Sequence, residues 1–356
     1  MKFKEVNQAA DQCVKCGLCL PVCPTYQLYQ HEAESPRGRL ALAQGLATGQ
    51  LQWNKSSQQY LEHCIYCLKC QTICPSQVDY QTIIDTTKAQ FSPTYYKKYF
   101  LQFITTPAIL RFALKIAPFI IKRPKLIAQF ETKNKLIIKN PQSQKKIGLF
   151  IGCISQFSDF KALQATCSIL NLLNYQVIIP KQQGCCGAIF QHNGFPQKTA
   201  DLAKKNQSAF KDCDTILTIA TGCQRTLKES FINKEVMDAA VFIGKLTWSF
   251  KLKNKKIKVA VHRPCSEQTP SQILPRLKHI ESIELTTTQC CGAGGMHLLT
   301  EPKQSQQLIQ PLIKEIQSLN LDYIVTTNSG CRLNLASHSN LPVKHPIEIL
   351  FELIQF

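Results

Sequence analysis

Eight cysteines near the amino terminus fall into two groups with the same spacing. Each group reads C-x-x-C-x-x-C-x-x-x-C-P: Cys13, Cys16, Cys19 and Cys23 before Pro24, then Cys64, Cys67, Cys70 and Cys74 before Pro75. This is the ligand pattern of bacterial [4Fe-4S] proteins, in which three cysteines hold one cluster and the fourth reaches across to the other. Structural zinc is the alternative, but zinc sites normally show two separated C-x-x-C pairs.

The pattern therefore predicts two [4Fe-4S] clusters with exchanged fourth ligands. The first would be held by Cys13, Cys16, Cys19 and Cys74, and the second by Cys64, Cys67, Cys70 and Cys23. We expect the apolar residues between the cysteines to keep water from the clusters; they are Val14, Leu18, Leu20, Val22, Ile65, Leu68 and Ile73.

The residues between the two groups predict helices. Ser35 and Pro36 suit the N-cap and the first position of a helix. Ser56 or Ser57 can begin another helix that leads into Cys64. We therefore expect a helical cluster domain.

The second half of the chain repeats a cysteine pattern on short β-rich runs. The order single Cys, Cys-Cys-Gly, Gly-Cys occurs twice: Cys153, Cys185, Cys186 and Cys223, then Cys265, Cys290, Cys291 and Cys331. Helical segments between the runs predict βα units with parallel sheets. Ligands of such sheets lie beyond the carboxyl ends of the strands, so each repeat should gather four thiols at one edge.

These thiols suit metal binding or redox chemistry, because adjacent cysteines bridge to each other only with strain. Cys167 and Cys213 stand outside the repeat and are expected to be small buried residues. His262 is either a ligand, a proton carrier or a structural histidine.

A cysteine-free helical segment is expected between the two halves. Its basic residues Arg111 and Lys115 are four positions apart, on one face of an otherwise apolar helix. Such a helix could lie on an anionic membrane. We favour packing of its apolar side between domains, because frequent prolines keep the helices short.

Length, net charge and cysteine content limit the classes of protein to which this chain can belong. The 356 residues suit two or three domains, and 42 Lys and Arg against 23 Asp and Glu give a net charge of +19. That balance favours a negatively charged neighbour, although the lysines form no block and we expect no nucleic-acid partner. A zinc-containing nucleic-acid binder is an alternative that only the charge suggests. The first residues lack the apolar core of a secretory signal, so a cytoplasmic location is expected, where 18 cysteines point to metal or redox chemistry.

Several further motifs resemble one known family, that of the glycolate oxidase iron-sulfur subunit. They are PRGR at residues 36–39, GCCGA at 184–188, HRPC at 262–265, CCGAGG at 290–295 and the closing VKHPIEILFE. The expected fold is α+β and multidomain: a helical two-cluster ferredoxin domain (1–90), a helical linker (91–144) and two pseudo-repeated α/β cysteine-rich (CCG) domains (145–250 and 251–356).

The resemblance implies a function in electron transfer. FAD-containing dehydrogenase subunits would oxidise a 2-hydroxy acid, glycolate in the family's case, and this chain would pass electrons toward a quinone or another acceptor. The chain shows no G-x-G-x-x-G after a strand, so we expect the flavin, and all catalytic residues, on the partners. A peripheral position on the cytoplasmic face of the inner membrane would bring it to the quinone pool.

Related repeats occur in other families, which leaves alternatives. These are the iron-sulfur subunits of lactate and glycerol-3-phosphate dehydrogenases, and a thiol or disulfide reductase like heterodisulfide reductase. In the last family the final turn of each repeat reads C-x-x-C, whereas Ala220 and Asn328 stand at the first of those positions here. A further iron-sulfur cluster, zinc or no metal in the repeats therefore all stay open.

Overall fold

The computed structural model describes residues 1–91, 95–120, 123–133, 135–285 and 290–355. The chain divides into two compact units, each assembled from three segments. Unit 1 comprises Met1–Leu101, Ile189–Thr199 and Thr287–Leu312, and unit 2 comprises Gln102–Ala188, Ala200–Thr286 and Ile313–Phe356.

Helices α1 to α9 precede the first strand. They are α1 (Val6–Asp11), α2 (Pro24–Tyr29), α3 (Pro36–Ala47), α4 (Lys55–Glu62), α5 (Lys69–Thr72), α6 (Tyr80–Phe91), α7 (Tyr95–Thr105), α8 (Pro107–Ile120) and α9 (Pro124–Ile127). Short 3-10 helices cover Phe3–Glu5 and Glu32–Glu34.

Two of these helices show how the sequence sets their starts. Ser35 caps α3, because its hydroxyl accepts a hydrogen bond from the Gly38 amide at 2.9 Å and Pro36 takes the first helical position. The expected serine cap of α4 is wrong. Asn54 caps α4 instead, accepting from the Ser57 amide at 2.9 Å, and the Ser57 hydroxyl accepts from the Asn54 amide.

The core of unit 1 lies among α1, α3, α4 and α6. It contains Val6, Ala10, Leu40, Ala43, Leu46, Leu61, Ile83 and Ile84, which are all buried. The cysteine loops are attached to this helical frame, so the frame sets where the thiols point.

Unit 2 contains two four-stranded parallel sheets of the same topology. The first has the order β2-β1-β3-β4 and the second β6-β5-β7-β8. The strands are β1 (Lys146–Phe150), β2 (Gln176–Ile178), β3 (Thr215–Thr218), β4 (Glu235–Asp238), β5 (Ile257–Val261), β6 (Ile280–Glu284), β7 (Tyr323–Val325) and β8 (Val343–Lys344). This confirms the predicted α+β architecture, a helical cluster region followed by two α/β repeats.

Helices lie in the connections between these parallel strands, as parallel pairing requires crossovers. They are α10 (Ser155–Ser158), α11 (Phe160–Leu172), α12 (Ala188–Gln191), α13 (Pro196–Ala209), α14 (Thr221–Ser230), α15 (Ala239–Lys245), α16 (His297–Thr300), α17 (Pro302–Gln317) and α18 (Ser329–His338). A 3-10 helix at Leu274–Arg276 lies between β5 and β6, and α19 (Pro346–Leu353) follows β8.

Both repeats share one hydrophobic core. Leu149 of β1, Val259 of β5 and Val325 of β7 belong to the same buried set, together with Ile169 of α11 and Leu350 of α19. Cys167 also lies in this core, fully buried, and Cys213 is buried as well, as expected for structural cysteines.

Among the described residues, no single helix is long and apolar enough to cross a membrane. Tyr96–Thr105 and Pro107–Pro118 pass that test together, as a bent pair.

Candidate iron-sulfur centres

The four thiols of the first predicted set line one cavity. Cys13, Cys16, Cys19 and Cys74 surround about 460 Å³ of space, part of it open solvent, in unit 1. Three of them come from the first motif and one from the second, as the exchanged pattern requires. The structure thus brings this set together, and ligation of a cluster by it stays a prediction.

The backbone bends in the same way in both cysteine loops. In the first loop (residues 13–19) Lys15 and Gly17 have positive φ of 55° and 86°, and in the second (residues 64–70) Tyr66 and Leu68 have φ of 53° and 57°. A left-handed conformation is costly for a residue with a side chain, especially a bulky one such as Leu68. Turns that contain left-handed residues can direct successive N–H groups to one side and so form a concavity that binds anionic groups such as iron-sulfur clusters. The loops therefore fit the predicted clusters.

The thiols of the second predicted set also lie close together. Burial raises the pKa of Cys70, and the nearby thiols of Cys64, Cys67 and Cys23 raise it further. Crowded thiols lose their protons readily only where positive charge compensates them, and iron supplies such charge. The Tyr80 hydroxyl donates to Cys64 Sγ at 3.5 Å, the kind of hydrogen bond to sulfur that tunes a cluster.

The two sets lie beside each other in unit 1. Burial raises the pKa of Cys19. The nearby thiols of Cys13, in its own set, and of Cys23, in the other set, raise it further. Cys70 of the second set also lines the cavity of the first.

The two loops differ in what surrounds them. Ile65 and Leu68 in the second loop are only 4% and 5% exposed, whereas Val14 and Leu18 in the first are 68% and 51% exposed. The expectation that the intervening apolar residues wall off both clusters is wrong for the exposed Ile73. Val14 and Leu18 line the cavity of the first set, so for them the expectation stays a prediction. In the first loop Val14 and Leu18 face the cavity of the first set, whereas in the second loop Ile65 and Leu68 are covered by protein.

A buried polar network supports the second loop. Arg39 donates to Glu34 Oε2, to the Glu34 carbonyl and to the Tyr60 carbonyl, each at 2.6 Å. Glu34 Oε1 lies 2.6 Å from Nδ1 of His63, the residue before Cys64. Burial would lower the pKa of Arg39, but Tyr80 and Cys64 raise it instead. The second arginine of PRGR is thus a fixed internal cation beside the second set.

The first arginine of PRGR supports the first loop. Arg37 donates to the Lys15 carbonyl at 3.0 Å and to Glu32 at 2.7 Å, at the protein surface. The sequence singled out PRGR only as a family motif. Glu34, His63 and Tyr80 were missed, because their partners are distant in the chain and no local pattern marks them.

The second Cys-Cys-Gly turn belongs to the same unit as the cysteine loops. Cys290 is buried against Ile65 and Leu308, with Cys67 packed beside them. Gly294 permits this approach, because a Cβ there would lie 2.2 Å from the Ile65 carbonyl oxygen. His297 adds a hydrogen bond between its Nε2 and the His63 carbonyl, 3.1 Å apart.

The first repeat gathers its four thiols at the carboxyl ends of β1, β2 and β3. Cys153 Sγ lies 3.7 Å from Cys185 Sγ. Hydrogen bonds with Cys153 and Cys186, and then burial, raise the pKa of Cys185 well above its usual value. The pKa of Cys223 is likewise raised by its hydrogen bond with Cys186 and by burial. The predicted gathering of thiols is present in this repeat.

Asn206 of α13 holds the turn that carries this vicinal pair. Its Oδ1 accepts from the Gly184 amide at 2.8 Å, and its Nδ2 donates to the Cys185 carbonyl at 3.0 Å. Gly187 has a φ of +95°, a conformation that favours glycine, and its amide donates to Cys185 Sγ at 3.4 Å.

The second repeat is distributed differently. Cys265 and Cys331 lie in unit 2, Cys265 exposed and Cys331 buried, whereas Cys290 and Cys291 lie in unit 1. Asn328 Nδ2 donates to Cys331 Sγ at 3.6 Å, so an amide stands where the C-x-x-C pattern would place another thiol. His262 is buried, with its Nδ1 3.0 Å from Thr326 Oγ1.

Two family models match the chain. One, a 4Fe-4S dicluster domain, covers residues 9–78, and the other, a cysteine-rich domain, covers residues 147–228 and 259–336. The chain is 27% identical to the glycolate oxidase iron-sulfur subunit of Escherichia coli (strain K12), over 99% of this chain and 96% of that protein.

Two further relatives show how wide the similarity is. The chain is 25% identical to a probable glycolate oxidase iron-sulfur subunit of Bacillus subtilis (strain 168), over 94% of this chain and 90% of that one. It is 23% identical to lactate utilization protein A of Geobacillus thermodenitrificans (strain NG80-2), over 58% of this chain and 95% of that one. With its dicluster domain followed by two cysteine-rich domains, the chain belongs to the glycolate oxidase iron-sulfur subunit family.

Proposed function

We propose that this iron-sulfur electron-transfer subunit serves a flavin-dependent 2-hydroxy-acid dehydrogenase, with glycolate as the substrate. FAD-containing partner subunits would remove two electrons and two protons from the substrate. This chain would carry the electrons singly toward a quinone or another acceptor, from a peripheral position on the cytoplasmic face of the inner membrane.

The observation that supports the proposal is the side-by-side arrangement of two four-thiol sets in unit 1. We assign Cys13, Cys16, Cys19 and Cys74 to one [4Fe-4S] cluster, and Cys64, Cys67, Cys70 and Cys23 to the other. Bound clusters of this type accept and release one electron at a time.

The chain's own residues then have separate tasks. Ile65 and Leu68 exclude water from the second set, and Arg39 places a buried positive charge beside it. The first set is the more exposed, with Cys16 at the surface, so we assign it the exchange of electrons with a protein outside this chain. The net charge of +19 favours an acidic face on that partner.

The repeat cysteines are better suited to metal than to disulfide chemistry. A thiol reductase needs a thiolate at neutral pH, and therefore a lowered pKa. Mutual hydrogen bonding and burial instead raise the pKa of both Cys185 and Cys223. We propose a metal or a further cluster at Cys153, Cys185, Cys186 and Cys223, and leave Cys265, Cys290, Cys291 and Cys331 as candidate ligands of the second repeat.

The test is to purify the native complex anaerobically and to compare Cys67→Ser with the wild type. We expect the variant to lose acceptor reduction by glycolate and about half of the iron of the two clusters, while the partner's flavin is still reduced. Cys167→Ala is the control, because Cys167 is buried in the hydrophobic core of the repeats and belongs to neither set, and this variant should keep its iron and its electron transfer.

Three outcomes would contradict the proposal. Cys67→Ser could still pass electrons to the normal acceptor, the complex could contain no flavin, or the wild type could reduce the acceptor with lactate or glycerol 3-phosphate but not with glycolate. The last result would move the assignment to another dehydrogenase of the same class.

A further inference from the structure

Helix α8 has two apolar faces. Leu110, Leu114 and Ala117 are buried on one face, and Leu110 and Leu114 pack against Phe157 within unit 2. Packing between domains, which the sequence favoured, stays a prediction. Ile109, Phe112 and Ile116 are exposed on another, and Phe112 is 65% exposed. Their spacing of three and four residues places them in one stripe along the helix.

Helix α7 carries a second stripe of the same spacing. Tyr96, Tyr99 and Phe103 are all exposed, Tyr96 to 84%. Tyrosine suits the boundary between water and lipid, because its ring is apolar and its hydroxyl stays hydrated. Two successive helices thus present aromatic and aliphatic side chains to the exterior.

The segment that contains both stripes is basic. Arg111 and Lys115 are exposed on α8, between its buried and exposed apolar faces. The sequence from residue 86 to residue 130 has eight Lys or Arg and no Asp or Glu. Such a segment attracts an anionic surface and repels a basic one.

The charges in the middle of α8 favour a helix that lies in the plane of a membrane. In that orientation the stripe enters the lipid while Arg111 and Lys115 contact the head groups. A protein partner would have to match the convex faces in shape, whereas lipid adapts to them.

We propose that the exposed face of α8, formed by Ile109, Phe112 and Ile116 and flanked by Arg111 and Lys115, binds an anionic lipid surface. This inference deepens the proposed peripheral membrane position and rests on it. It names the surface that makes the contact and the class of lipid that it selects.

Vesicle flotation of the anaerobically purified full chain tests the proposal. The probes are vesicles of phosphatidylcholine alone and vesicles of phosphatidylcholine and phosphatidylglycerol in equal parts. We expect the chain to float with the anionic vesicles, less so with the neutral ones, and to be released by added salt.

Two variants and one control locate the contact. Phe112→Ser should weaken binding to the anionic vesicles by about tenfold or more, because it removes a large apolar side chain from the lipid. Lys115→Gln should weaken binding by about fivefold, and only while anionic lipid is present. Ile232→Ser is the matched control, since Ile232 is also apolar and 88% exposed but lies beside α14, and it should bind as the wild type does.

Absence of flotation of the wild type overturns the proposal, as does equal flotation of Phe112→Ser. Loss of a copurifying flavoprotein from Phe112→Ser, with lipid binding intact, would assign the stripe to a protein interface instead. Reduction of a soluble dye by substrate separates this inference from the proposed function. Phe112→Ser should keep that dye reduction, whereas failure of the proposed function would remove it from the wild type and leave flotation unchanged.

Discussion

The first and second cysteine loops of unit 1 have the same spacing and the same left-handed positions but opposite surroundings. Val14 and Leu18 of the first loop are exposed, whereas Ile65 and Leu68 of the second are buried. The cysteine spacing and backbone bend therefore encode the shape of the site, and the residues packed around the loop decide how much water reaches it. Since exposure and hydrogen bonding tune cluster potentials, we expect clusters bound at the two loops to have different potentials.

Substitution of the two arginines of PRGR should give the largest difference in stability between the two loops. Arg39→Met should lower the free energy of unfolding by about 4 kcal/mol, because it leaves Glu34 buried without its cation. Arg37→Met removes a pair of which both members are partly exposed, and should cost about 1 kcal/mol or less. Anaerobic denaturant titration with iron determination measures both.

Equal costs for these two variants would mean that the second loop does not depend on its buried network. Arg39→Lys serves as a control for charge alone, since it keeps the cation but not the multiple hydrogen bonds.

Equivalent apolar positions give a smaller effect. Val14 and Ile65 both follow the first cysteine of their motifs. Ile65→Ala should destabilise the protein by about 3 kcal/mol, since it opens a cavity beside Cys290. Val14→Ala should change stability by about 0.5 kcal/mol or less, because its side chain already contacts water. Thermal unfolding of the two variants measures both stability changes. A large loss of stability in Val14→Ala would show that the first loop is covered in solution.

Acid should reduce the stability that His297 contributes beside the second loop. Burial lowers the pKa of His297 to about 4, although the carbonyls of His63 and Gly294 raise it, and Lys88 and His63 are the charged groups that lower it further. The ordinary value is 6.5, so the unfolded chain binds the proton first as the pH falls. The stability from neutral His297 is complete above pH 6.5, is reduced by about 2 kcal/mol at pH 5, and is lost below about pH 4.

Denaturation of the wild type and of His297→Gln at pH 7.5 and pH 5 isolates this contribution, because the other titrating groups are common to both. The variant should lose about 2 kcal/mol less on acidification. If stability depends on pH equally in the variant and the wild type, protonation of His297 does not weaken the contact between the Cys-Cys-Gly turn and the loop.

The sequence predicted the parts of the structure that local patterns encode. The β-rich runs before Cys153, Cys185, Cys223, Cys265, Cys290 and Cys331 all contain strands, since apolar runs bounded by turn residues define them. Strands β4 and β8 were not predicted. β8 has two residues, too few to show an alternation, and β4 carries acidic residues at both ends.

Long-range contacts could not be predicted in the same way. Asn54 and the two nearby serines have similar N-cap propensities, so the sequence does not show which of them caps α4. The structure shows that Asn54 does. The burial of Ile65 beside the exposure of Val14 depends on a turn more than two hundred positions later in the chain. The bond between Glu34 and His63 likewise joins residues whose types alone suggest no partnership.

The composition of unit 1 from three separated segments has a consequence for biosynthesis. The cysteine loops leave the ribosome with the first segment, whereas the turn that covers the second loop belongs to Thr287–Leu312. At ~5–20 residues per second, the delay between them is about 10 seconds or longer. During that interval Ile65 and its neighbouring thiols are not yet covered by this turn, so we expect a cluster to enter the second set most easily before synthesis is complete.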